Sequence, residues 1–205
     1  MTSKILLVSG SLQRASANRA VLDVAREELV AGLGASVVET DDVRSISAFD
    51  PDDQERAPEA VRTFRRQIEE ADAVLFSVPE YAAALPGALK NALDWVVGSG
   101  ELYAKLTAVV SAGTTGGPHA RAQMIRTLTW QGAHVVAQLG ITSPRTKSDA
   151  SGRIVDTTTV DTIQQVAQCL VASIHLAGPD RLALVAEVTS AAGIEPGHLA
   201  PVPDP

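Results

Sequence analysis

Three short runs, KILLVS at 4–9, AVLFSV at 73–78 and LTAVVS at 106–111, are apolar at nearly every position instead of alternating. Strands that read this way are buried on both faces, and such strands belong to a parallel sheet covered by helices. The segments between them carry helical periodicity. Ala20, Val21, Val24, Ala25 and Leu29 place an apolar stripe along 17–33, with Asn18 near its start and Gly34 just past its end. Further helices are expected at 58–71, 87–97, 119–131, 157–176 and 180–192, with strand two at 35–40 and strand five at 135–139. Residues 41–57, rich in Asp and Glu, read as a solvated surface loop. Five strands joined by helical crossovers give a doubly wound α/β architecture. No internal repeat and no linker divides the 205 residues, and that length suits one domain.

The net charge of −7 argues against a nucleic-acid or anionic membrane surface. No apolar run is long enough to span a bilayer, and Ile5–Val8 is too short for a secretory leader core. The single cysteine, Cys169, excludes an internal disulfide framework and fits a reducing compartment, so a cytoplasmic location is expected.

Open α/β sheets bind ligands beyond the carboxyl ends of their strands, where the strand order reverses. In a 2-1-3-4-5 sheet that point lies between strands one and three, which directs attention to the loops after Ser9 and Val78. The first offers hydroxyls at Ser11 and Ser16, an amide at Asn18, a guanidinium at Arg14 and the free amides of a helix start. Such a set suits a phosphate dianion; a serine-rich turn that only caps the helix is the plainer alternative. Leu12 and Ala15 stand where a dinucleotide G-x-G-x-x-G loop would need glycine. The second loop, Pro79-Glu80-Tyr81-Ala82 and onward to Pro86-Gly87, is stiffened by its prolines. It is either a rigid strand-to-helix turn or a grip on the edge of a flat heteroaromatic ring. A third loop, Ser111 to Gly117, is glycine-rich, and glycine lets backbone approach a ligand closely.

Together these loops resemble those of the NADPH-dependent FMN reductase family, which includes quinone, azo-dye and chromate reductases. That family shows a Gly-Ser-x-Arg-x-x-Ser-x-Asn loop, a Pro-Glu-Tyr-Asn loop running into Pro-Gly-x-Leu-Lys-Asn-Ala-hydrophobic-Asp-Trp, and a Ser-x-Gly-x-x-Gly-Gly loop. The counterparts here are 10–18, 79–95 and 111–117, and the similarity covers roughly residues 4–140. The resemblance implies a flavodoxin-like fold of sheet order 2-1-3-4-5 over 1–178, with a C-terminal helical extension and Pro-rich tail at 179–205. It implies that Ser11, Ser16 and Asn18 are phosphate ligands, that Pro79, Glu80 and Tyr81 face the isoalloxazine, and that Ser111, Gly113, Gly116 and Gly117 complete the site. The family's arginine falls at Gln13, with Arg14 beside it, and its asparagine falls at Ala82. The implied activity is two-electron reduction of a flavin, quinone or similar small acceptor, using FMN and NADPH or NADH. The flavin carries the hydride, so no acid–base residue is called for. The resemblance also implies a homodimer or homotetramer, with Leu89, Leu93 and Trp95 as candidate contacts. The alternative is a flavin-binding or degenerate carrier that turns nothing over.

Other reactive residues read as ordinary. His119, His134, His175 and His198 lack partners at metal-ligand spacing, so no metal site is expected. His119 either lines the pocket or simply begins a helix. Cys169 sits among Val166, Leu170 and Val171 and reads as a structural thiol. Trp95 and Trp130 read as core or subunit-contact residues.

Overall fold

A computed structural model describes residues 2–40, 43–195 and 200–201. Five strands, β1 Lys4–Ser9, β2 Ser36–Glu39, β3 Ala73–Ser77, β4 Leu106–Gly113 and β5 His134–Thr142, form one sheet of order β2-β1-β3-β4-β5. Every pairing is parallel, so all five carboxyl ends share one rim. Around the sheet lie α1 Ala17–Glu27, α2 Glu59–Glu70, α3 Gly87–Asp94, α4 Pro118–Trp130, α5 Thr157–Ser173 and α6 Gly178–Ala191. This is the flavodoxin-like arrangement with an additional C-terminal helix.

The unbroken apolar strands have a direct cause. Successive side chains of a strand point to opposite faces. Leu6, Val8, Val74 and Phe76 pack with Phe64 and Ile68 of α2, Leu89 and Leu93 of α3, and Met124 and Leu128 of α4. Ile5, Leu7, Leu75 and Val110 pack on the other face with Val21, Val24 and Leu29, and with Ile163 and Leu170 of α5. Two cores sandwich one sheet, and neither face is left to water. The edges are treated differently. β2 is four residues long, with Ser36 and Glu39 exposed. β5 is flanked by α6, which places Val185 in one core and Val188 in the other and accepts a 3.2 Å hydrogen bond from Gln138 Nε2 at Val188 O. Covering an edge strand blocks pairing with another chain.

Several expectations need adjustment. The helix expected over 17–33 keeps α geometry only to Glu27; Glu28–Gly32 is a wider π turn, with Leu33 N donating to Glu28 O at 3.0 Å. Gly34 then leaves the helix at φ 65°. Segment 43–57 carries exposed acids yet is not simply solvated. Val43 and Ala57 are buried, and Ile46 and Phe49 pack against the core. Asn91 and Trp95 staple this segment to α3: Phe49 N donates to Asn91 Oδ1 at 2.8 Å, and Asn91 Nδ2 and Trp95 Nε1 reach Ser47 O at 2.8 and 2.9 Å. Asp41 and Asp42 lie outside the described residues, as does His198. Leu89, Leu93 and Trp95 are buried inside the single chain, so they cannot serve as subunit contacts. Leu89 and Leu93 pack α3 on the sheet, and Trp95 packs with Ala57, Val61 and Phe49. Trp130, by contrast, is 60% exposed at the end of α4.

At the amino-terminal end of the sheet, His134 is buried, its Nε2 2.7 Å from Ala200 O. Burial pushes its pKa below the usual imidazole value. Cys169 is half-buried, and burial raises its thiol pKa, which disfavours the thiolate. No helix among the described residues is long and apolar enough to cross a membrane.

Candidate functional site

A cleft of ≈ 1250 Å³ opens at the carboxyl ends of the strands. It gathers Ser11, Gln13, Arg14, Ser16, Asn18, Pro79, Glu80, Tyr81 and Gly113 from three separate loops. Ala82, Ser111 and Gly116, named with them from sequence, do not line it, and neither do His119, Trp95 and Trp130.

The first loop turns from β1 into α1 in two differently built parts. Ser16 is the N-cap, its Oγ accepting from Arg19 N at 3.2 Å. Ser11 is buried and its Oγ accepts from Gln13 N at 3.3 Å. Both hydroxyls keep a hydrogen to donate. The first amides of α1 have no carbonyl partner within the helix. Gln13 and Arg14 are exposed and make no side-chain hydrogen bond or ion pair among the described residues. Asn18 differs: it is buried, and its amide ties the start of α1 to the carboxyl ends of β3 and β4. Nδ2 donates to Ala112 O at 2.9 Å, while Oδ1 accepts from Ala112 N at 3.0 Å and from Ser77 Oγ at 3.1 Å. One Nδ2 hydrogen remains.

The second loop is held by hydrogen bonds of its own. Glu80 Oε2 accepts from His119 N at 2.7 Å and Ala120 N at 2.9 Å. A carboxylate at that position satisfies two orphan amides and complements the helix dipole of α4. Glu80 therefore fixes the β3 loop to the β4 loop. Tyr81 and Ala84 then close a two-residue turn, with Tyr81 N to Ala84 O at 3.1 Å and Ala84 N to Tyr81 O at 3.0 Å. Its central residues, Ala82 and Ala83, have φ 50° and 57°. That left-handed geometry suits glycine or asparagine and costs alanine about 1–2 kcal/mol per residue. Asparagine at position 82 in the resembled pattern therefore has a backbone role as well as any ligand role. Tyr81 itself stays 54% exposed at the cleft mouth.

In the third loop the glycines act inside the protein. A Cβ on Gly116, at φ 77°, would meet the backbone of Gly140 at 3.3 Å, and one on Gly117 would collide with Ser111 Oγ. Ser111 Oγ is buried and has no hydrogen-bond partner among the described residues. Of this loop, Ala112, Gly113 and Thr114 reach the cleft.

One wall escaped the sequence reading altogether. Residues 143–153 follow β5 and border the cleft opposite α1, bringing Pro144, Arg145, Asp149 and Arg153. The signal was available: the segment begins at the carboxyl end of a strand, as the other three loops do, and holds Arg145, Lys147 and Arg153. Among the described residues no group of three His, Cys, Asp or Glu side chains stands together as a metal site.

Comparison with known proteins agrees with this geometry. The family model for NADPH-dependent FMN reductase matches residues 3–146. An NAD(P)H-dependent FMN reductase of Pseudomonas aeruginosa is 35% identical over 174 residues, covering 82% of this chain and 92% of the relative. An NADPH:quinone oxidoreductase of Arabidopsis thaliana is 31% identical over 173 residues, covering 80% and 87%. Among solved structures, the flavoenzyme NAD(P)H:(acceptor) oxidoreductase FerB from Paracoccus denitrificans superposes with a TM-score of 0.70 at 26% identity, covering 84% of this chain and 97% of that one. On the family match, the relatives' length coverage and the shared architecture, the chain belongs to the NADPH-dependent FMN reductase family.

Proposed function

We propose that the chain is an FMN-dependent oxidoreductase that uses NAD(P)H to reduce a quinone-like small molecule by two electrons. The observation that carries this reading is the cleft at the β1–β3 switch point. Unpaired donors of the first loop stand there beside a rigid, hydrogen-bonded second loop. Relatives described as FMN and quinone reductases point the same way.

The residues present fit FMN. The donor set at the start of α1 suits its phosphate: Ser11 and Ser16 hydroxyls, the Gln13 amide, the Arg14 guanidinium, helix amides and the remaining Asn18 hydrogen. Pro79 and Tyr81 are the candidates for the ring edge, with Gly113 allowing close approach from β4, while Ala82, outside the cleft lining, forms the turn that follows them. Ser111 and Gly116 would act from behind, shaping the loop. When bound, FMN supplies the atom that accepts and returns hydride. The protein's part is to fix the two substrates in turn and keep water away. Glu80 contributes by holding the second and third loops in one arrangement, so the ring edge meets preformed backbone.

The cytoplasmic homo-oligomer belongs to the same reading. Light scattering at micromolar concentration tests it, with Trp130, Tyr103 and Val97 as exposed apolar candidates for the contact.

Fluorescence titration with FMN, followed by NAD(P)H oxidation over a panel of quinones, tests the proposal. Micromolar or tighter FMN binding with turnover is expected. No detectable flavin binding would overturn it and leave a non-catalytic relative.

A further inference from the structure

A loop that receives a phosphate has to turn its donors inward and its carbonyls away. Both ends of the first loop are held. Gly10 N donates to Ser77 O at 2.8 Å, Ser11 N to Ser9 Oγ at 3.3 Å, and Ser16 caps α1. Residues 12–15 between them have less support. Among the described residues, one hydrogen bond ties this stretch to another part of the chain: Arg44 Nη2 donates to Leu12 O at 2.7 Å, across 32 residues of sequence. Arg44 does not line the cleft, so its effect on a ligand there passes through the loop.

That bond sets one peptide plane. In a trans peptide the carbonyl and the N–H point in opposite directions. With Leu12 O turned to Arg44, the Gln13 N–H is turned the other way and donates to Ser11 Oγ at 3.3 Å. Ser11 Oγ accepts inside the loop and keeps its own hydrogen for a ligand. Ser11 and Gln13 line the cleft, whereas Leu12 does not and packs against the core. Were the plane to turn over, Leu12 O would face Ser11 Oγ. The Ser11 hydrogen would then go to that carbonyl instead of to a phosphate.

Arg44 can hold the plane because its own segment is fixed. Its neighbour Val43 is buried, and Ile46 and Phe49 pack against the core. Ser47 O accepts from Asn91 Nδ2 and Trp95 Nε1, and Phe49 meets Trp95 edge-on with ring centroids 5.2 Å apart. Arg65 Nε donates to Trp95 O at 3.1 Å, and its Nη1 reaches Gln54 O at 3.4 Å. A long side chain on a mobile base would lose in entropy what one hydrogen bond gains; this base is clamped. Asn91 and Trp95 lie outside the cleft lining, and the clamp gives them a route to the site.

We propose that Arg44 is a positioning residue for the flavin phosphate: from the segment clamped to α3 it holds the Leu12–Gln13 peptide with its carbonyl out of the cleft. The inference rests on the oxidoreductase reading for its ligand, and one of its two tests needs no ligand. The first compares FMN with riboflavin, which differ only in the phosphate. Arg44→Ala should weaken FMN binding about five- to tenfold and leave riboflavin affinity and the urea midpoint little changed. Arg44→Lys, which keeps a donor of similar reach, should recover most of the loss. The loss should persist at about 0.5 M salt, where a remote charge would be screened. The second test is brief trypsin digestion of the flavin-free protein, with the cuts mapped by mass spectrometry. Cleavage after Arg14 should be about fivefold faster in Arg44→Ala, with the other sites unchanged. Unchanged FMN affinity, equal losses for FMN and riboflavin, a loss abolished by salt, or unchanged cleavage after Arg14 would each overturn the inference. In a chain that bound neither flavin, faster cleavage after Arg14 would keep the hold of Arg44 on the loop and overturn the oxidoreductase reading; unchanged cleavage would overturn both.

Discussion

The two most distinctive loops of this chain look alike as motifs and differ as physical objects. In the first, Gln13 and Arg14 project from the β1–α1 turn with their polar groups unpaired. In the second, the polar groups are satisfied within the protein: Glu80 caps α4, and further along the same motif Asn91 and Trp95 hold segment 43–57. A polar side chain with no internal partner is available to a ligand at little structural cost. One that satisfies buried amides cannot be removed without leaving them orphaned. Substitutions in the first loop should therefore act on binding, and those in the second on stability.

Asn18 is the residue best placed to break this division. Its motif belongs to the first loop, but its hydrogen bonds to Ala112 and Ser77 belong to the second kind. Asn18→Ala should cost about 3–5 kcal/mol in urea unfolding, because the Ala112 N–H and C=O lose their partner in the interior. A cost under about 1 kcal/mol would show that water replaces the amide and that Asn18 acts chiefly on the ligand. Glu80→Ala sharpens the other side. It should lower stability by about 1–3 kcal/mol. Glu80→Gln, which keeps an accepting oxygen, should recover part of the loss.

Arg14→Ala is the counter-case. It should weaken FMN binding by about ten- to hundredfold while shifting the unfolding free energy by no more than about 0.5 kcal/mol. Gln13→Arg should move affinity in the opposite direction, again without a stability change. The smallest effect is expected at Ala82. Ala82→Asn should stabilise the chain by about 1 kcal/mol by relieving a left-handed alanine, as read by the shift in denaturant midpoint. If it tightened FMN binding with no gain in stability, the side chain and not the backbone would be the operative feature at that position.

Much of the fold was legible in the sequence because its signals are local. A strand covered on both faces must be apolar throughout, so 4–9, 73–78 and 106–111 announced a helix-covered parallel sheet, and the rule for such sheets pointed to the β1–β3 switch point. The order of the three loops and the residues available in them could also be read directly. What the sequence could not display was how polar atoms separated in the chain satisfy one another. Glu80 and His119 lie 39 residues apart, and Asn18 and Ala112 lie 94 apart. Periodicity does not report a hydrogen bond across such distances. For the same reason Leu89, Leu93 and Trp95 could be read as a subunit contact, although α3 turns the two leucines onto the sheet and Trp95 is buried against Ala57, Val61 and Phe49. Segment 43–57 looked solvated because its four acids obscure the few apolar residues that anchor it. The wall at 143–153 was passed over because an isolated stretch of Ser, Arg and Asp has no distinguishing pattern. Only the return of β5 to the common rim sets Arg145 across a cleft from α1, where its charge finds no partner among the described residues.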